Sequence, residues 1–116
     1  MKSRPKPGMA ILEAMRKAQA WGCRIVEFRN DRNLPVHFVI YDHCRYSIVR
    51  VRRLKYAGYR CVDIERSCAA DLRAIRRMDL APDIHRELWV RGPDRPWHRY
   101  AVFMDHTVAL VYGIAG

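Results

Sequence analysis

The chain has 116 residues, enough for one domain around one hydrophobic core and too few for a multidomain enzyme. Half of the residues are hydrophobic, and 22 Lys and Arg stand against 12 Asp and Glu, a formal charge of +10. That mixture excludes a disordered basic tail, and no apolar run reaches the roughly 18 residues that a membrane span needs.

Residues 1–8 are basic and proline-rich and are expected to be flexible, with residues 9–116 forming a single domain. The stretch MAILEAMRKAQAWG predicts an amphipathic helix from Met9 to Trp21, because Glu13, Arg16 and Lys17 interrupt any secretion-signal core. Ile11, Met15 and Ala18 line its apolar face, Glu13 and Lys17 form an i,i+4 pair, and Gly22 supplies the stop. Cys23–Arg29 reads as a strand, and Asn30, Asp31, Asn33 and Pro35 mark a loop.

Val36–Tyr41 and Tyr46–Arg53 then form a predicted hairpin, followed by a loop over Leu54–Arg60. A second helix is expected from Ser67, as N-cap, to Met78, with an earlier start at Asp63 as the alternative; Cys68, Leu72 and Ile75 form its buried stripe. Its charges Asp71, Arg73, Arg76, Arg77 and Asp79 read as a solvated face. Glu87–Arg91 and Trp97–Met104 flank a Gly92–Pro96 turn as a second hairpin, and Thr107–Tyr112 adds an edge strand. The expected fold is α/β (α+β): one small domain with a central mixed sheet of four to six strands flanked by two helices.

The four cysteines, at 23, 44, 61 and 68, lack the paired spacing of a zinc site and are expected to be buried reduced thiols in a cytoplasmic protein. No Ser-His-Asp or Cys-His arrangement stands out, and His37, on an apolar strand, reads as a hydrogen-bonded structural histidine.

The charge surplus is mainly arginine, 18 Arg to 4 Lys. The guanidinium fork suits bidentate contact with phosphate better than a lysine point charge does. From His43 to Val62 there is no acidic residue, while Arg45, Arg50, Arg52, Arg53, Lys55 and Arg60 fall there with Tyr46, Tyr56 and Tyr59 among them. Strand alternation puts Tyr46, Ile48, Arg50 and Arg52 on one face and Val49, Val51 and Arg53 on the other. Arginines interleaved with tyrosines are what a phosphate-tracking, base-stacking surface needs. The predicted nucleic-acid contacts are Arg45, Arg50, Arg52, Arg53, Lys55, Tyr56, Tyr59 and Arg60, and charge reversal at Arg50 and Arg52 is expected to abolish retention. The plainer alternative is a solvated sheet face balanced by Glu27, Asp42 or Glu65.

The order helix, strand, hairpin PVHFVIYDHCRYSIVRVRR, helix, strand resembles the restriction-endonuclease-like, or PD-(D/E)xK, nuclease fold, nearest to archaeal Holliday-junction-resolvase-like proteins. The resemblance implies a metal-binding Asp early in the first hairpin strand and a (D/E)-x-K triplet on the second, holding magnesium. It places Pro35-Val36-His37 at the aspartate region, Arg50-Val51-Arg52 at the triplet and Glu13 at the assisting helix acid. His37, Arg50 and Arg52 depart from that motif, and guanidinium groups cannot take the place of magnesium's oxygen ligands.

The chain is therefore expected to be a non-catalytic nucleic-acid binder, most simply of DNA, on a degenerate nuclease fold, without a metal or other cofactor. The rival enzyme would rebuild a magnesium site from Glu13, Glu27 and Asp42, with Asp63 and Glu65 as further carboxylates. A third class is a protein-interaction or structural homodimer that pairs through TVALVY and binds no nucleic acid.

Overall fold

The computed structural model describes residues 8–28, 34–93 and 96–110. The expected flexible N-terminus up to residue 7, the loop residues Asn30, Asp31 and Asn33, the turn residues Asp94 and Arg95, and Val111–Tyr112 lie outside them. The described elements are α1 (Met9–Ala20), β1 (Arg24–Phe28), β2 (Phe38–Asp42), β3 (Arg45–Arg53), α2 (Cys61–Ser67), α3 (Ala69–Arg76), β4 (Ile84–Arg91), β5 (Trp97–Val102) and β6 (Thr107–Leu110). None of the described helices is long and apolar enough to cross a membrane.

The strands form one mixed sheet in chain order, β1 through β6. Every neighbouring pair is antiparallel except β3 and β4, which run parallel from Tyr46↔Ile84 to Arg53↔Arg91. A parallel pair needs a crossover, and α2 and α3 supply it.

Strand alternation divides the core into two layers. Ile48, Leu88, Val90, Tyr100 and Val102 pack with Ile64 of α2, Leu72 and Ile75 of α3, and Cys68 between the two helices. Phe38, Ile40, Val49, Val51 and Trp89 pack with Ala14 and Ala18 of α1 on the other side. Ile48 faces α2 and α3 while Val49 and Val51 face α1, so Arg50 and Arg52 lie on the α2–α3 side.

Local chemistry explains the boundaries. Gly22, at φ 87°, ends α1 in the left-handed region, and the Gly22 N–H donates to the Gln19 carbonyl. The second helix is in fact two helices. Ser67, expected as an N-cap, is the last residue of α2, and its hydroxyl donates to the Asp63 carbonyl at 2.8 Å, a back-bond that bends helices. Arg86 of β4 satisfies the last carbonyls of that layer, donating to Ile75 O at 3.0 Å and Met78 O at 2.6 Å.

His43-Cys44 forms the two-residue turn between β2 and β3, and both residues have positive φ, 50° and 63°. That hairpin geometry favours Asn-Gly, so both side chains are held where glycine is usual. All four cysteines are free; Cys23 and Cys68 are buried as expected, but Cys44 is exposed and Cys61 half-buried.

Candidate nucleic-acid interface

Asp71, expected on a solvated helix face, is instead 3% exposed and lies between the two strand arginines. Arg50 Nε donates to its Oδ1 at 2.6 Å and Arg52 Nη1 to its Oδ2 at 2.8 Å. Arg50 also donates to the Pro35 carbonyl at 2.8 Å. Asp71, rather than Glu27, Asp42 or Glu65, balances β3, and Arg50 acts largely as an internal strut.

His37 closes the same corner. Its Nδ1 accepts from the Val51 backbone N–H at 2.9 Å, and the His37 backbone N–H donates to the Val49 carbonyl at 2.9 Å. Burial, reinforced by the Arg50 guanidinium and opposed by Asp71, lowers its pKa from 6.5 to about 4. The folded state thus binds this proton less tightly than the unfolded chain. Its stabilising contribution is complete above pH 6.5, shrinks as the pH falls toward 4, then levels off. Allowing for partial exposure, denaturant titrations should show a loss of about 1–2 kcal/mol from pH 7 to pH 5. A His37→Asn variant should lack that increment; an identical pH profile for the two proteins would refute the assignment.

Beyond Arg53 the chain leaves the sheet and turns into α2, enclosing a groove of about 460 Å³. Arg52, Arg53, Lys55, Tyr56 and Arg66 line it, with Asp63 as its carboxylate. Asp63 is engaged: Arg60 donates to its Oδ2 through both the backbone N–H (3.3 Å) and Nε (3.2 Å), and the Arg60 side chain lowers its pKa. Arg53 and Lys55 have no ion-pair partner among the described residues. Tyr56 is 81% exposed.

The other predicted contacts separate from this group. Arg45 begins β3 at its far end, about 26 Å from Arg53 at the usual rise per residue. Tyr59 is structural: its ring stacks on His98 at 3.7 Å, and its carbonyl accepts from the Tyr100 hydroxyl. A Cβ on Gly92 would lie 1.7 Å from the Tyr59 hydroxyl, so glycine is required there. Arg60 is exposed but caps α2. Arg66 was not anticipated, because it lies past the acid-free window; its place beside the groove comes from the fold.

The candidate metal carboxylates are dispersed. Glu13 pairs with Arg91 of β4, not with Lys17, on the sheet side opposite Arg50. Glu27 is on the edge strand β1. Asp42 lies 3.9 Å from Arg99, whose guanidinium is already held by Glu87 at 2.8 Å. Asp63 serves the start of α2, and Glu65 is bidentate with Arg76 at 3.1 and 2.9 Å. Among the described residues no group of three His, Cys, Asp or Glu is placed to hold a metal ion. Arg50 and Arg52 put cationic groups where the resemblance calls for a metal-binding acid and a lysine, so these residues do not fit magnesium.

Comparison with family models, with curated proteins and with solved structures found no match to this chain.

Proposed function

We propose that the protein binds nucleic acid, DNA in the first instance, without cutting it, through the groove between the end of β3 and α2. The observation that carries this reading is the convergence of Arg52, Arg53, Lys55 and Arg66 around the groove, with the 81%-exposed Tyr56 at its wall. Phosphate neutralisation by arginine and lysine supplies affinity, and an exposed tyrosine ring supplies a stacking surface. The chain's +10 charge favours encounter with any polyanion.

The order α1-β1-β2-β3-α2-α3-β4 follows the helix, strand, hairpin, helix, strand pattern on which the nuclease resemblance rests. That agreement supports a degenerate restriction-endonuclease-like fold, and the Arg50–Asp71–Arg52 bridge supports a binding rather than hydrolytic role. Asp71 is engaged by both guanidiniums, and Arg50 and Arg52 stand where the resemblance calls for the metal-binding acid and the lysine.

The test is a triple charge reversal, Arg53→Glu, Lys55→Glu and Arg66→Glu, which spares the Asp71 bridge. Retention of a labelled oligonucleotide at low salt should fall about 100-fold, and the slope of log affinity against log salt should fall by about 2–3. Circular dichroism should be unchanged. Unchanged retention, or wild-type protein that binds no oligonucleotide at low salt, would remove the proposal.

A further inference from the structure

A second cleft lies at the opposite end of β3, on the part of the sheet that α2 and α3 leave open. It measures about 740 Å³ and is lined by Arg24, Ile25, Val26, Tyr41, Cys44 and Tyr46. The strand register builds it: Arg24 stands opposite Tyr41, and Tyr41 opposite Tyr46, so a guanidinium and two phenol rings form one row across β1, β2 and β3. The rings are 4.9 Å apart and tilted by 57°, not stacked flush, and Tyr46 is 44% exposed. Cys44, in the positive-φ turn, lines the cleft beside Tyr41. Among the described residues no carboxylate lines the cleft.

We infer that this cleft accepts one unpaired base of a nucleic-acid strand, with Tyr41 and Tyr46 against its π-face and Arg24 at the adjoining phosphate. Aromatic rings beside a guanidinium match the two surfaces that a nucleotide presents together, a flat ring and an anion. Bases within a duplex are already stacked and cannot enter, so the cleft selects single-stranded, gapped or looped strands over blunt duplex. Tyr46 and Arg52 share a face of β3, about 20 Å apart at the usual rise, so one strand can reach both sites. The inference rests on the proposed nucleic-acid binding and names the form of nucleic acid preferred.

The experiment compares a single-stranded oligonucleotide carrying 2-aminopurine with the matching blunt duplex. Tyr46→Leu and, separately, Arg24→Gln should weaken single-strand binding about tenfold while changing duplex binding by less than twofold. Saturating wild-type protein should change the 2-aminopurine emission, and Tyr46→Leu should abolish that change. Equal losses on both substrates, no loss on either, or no emission change at saturation would overturn the base site, even with the groove intact. Failure of the wild-type protein to bind either oligonucleotide would instead overturn the underlying reading. Arg24→Gln, at an exposed position, keeps the test decisive if Tyr46→Leu disturbs folding.

Discussion

Replacement of Arg99 by methionine is expected to lower the free energy of unfolding by about 3–5 kcal/mol, the usual cost of orphaning a buried charge. The Arg99 side chain is 1% exposed and the Glu87 side chain 4%. Glu87 Oε1 accepts from Arg99 Nε at 2.9 Å and from the Trp89 indole N–H at 2.8 Å. The guanidinium also lies 4.5 Å from the centre of the Trp89 ring and 5.3 Å from that of Trp21, so both its charge and its flat faces are used. Methionine fills much of the volume but leaves the Glu87 carboxyl in an apolar layer with one neutral donor. A domain of this size has a total stability of about 5–15 kcal/mol, so much of it would go. The double variant Arg99→Met with Glu87→Gln should recover most of the loss, because no buried charge is then left unpaired. Urea midpoints of the three proteins measure this. A single-variant loss below about 1 kcal/mol would mean that water reaches Glu87, contrary to its burial.

Asp71→Asn should cost about 2–3 kcal/mol, less than the Arg99 change because its two partners keep part of their hydration. Arg50 and Arg52 are 26% and 44% exposed at the side chain, against 3% for Asp71. Asparagine keeps one acceptor but loses the charge that holds two guanidiniums together. The same change frees positive charge on the groove side, so low-salt retention of an oligonucleotide should stay constant or rise while stability falls. Denaturation and retention measured on one preparation separate the two effects. Falling retention with unchanged stability would make Asp71 a binding residue and not a buried counter-ion.

The sheet was largely legible in the sequence because β-strand chemistry is local. The alternation in YSIVRVRR placed Arg50 and Arg52 opposite Val49 and Val51, and the turn residues bounded the hairpins. The helix pair was less legible, since the break at Ser67–Cys68 depends on a side-chain back-bond and not on glycine or proline. Asp71 was misjudged by residue type, although it falls three residues after Cys68 and four before Ile75, on the buried stripe. Position on that stripe was the available signal, and carboxylate chemistry masked it.

Glu87 and Arg99 show the same effect. Alternation sets Glu87 beside Trp89 and Arg99 beside Trp97, but only the register of β4 and β5 brings the acid and the base together under α1. The groove was half legible: Arg52, Arg53, Lys55 and Tyr56 are near in sequence, while Arg66 joins them through the turn into α2. Arg45 and Tyr59 were grouped with them because sequence distance hides strand length and ring packing.

The single parallel junction in the sheet has a thermodynamic consequence. β1–β3 and β4–β6 each close by antiparallel neighbours, and among the described residues the backbones of the two sets pair only along β3 and β4, whose partners lie 38 positions apart at Tyr46↔Ile84. The covalent tie between them leaves β3 through the groove and only then becomes α2 and α3. If nucleic acid binds in the groove as proposed, it would restrain the first turn of the one segment that joins the halves. Occupancy of the groove and closure of the sheet would then be linked equilibria, each favouring the other by the same free energy, and the ligand would work as a reversible cross-brace.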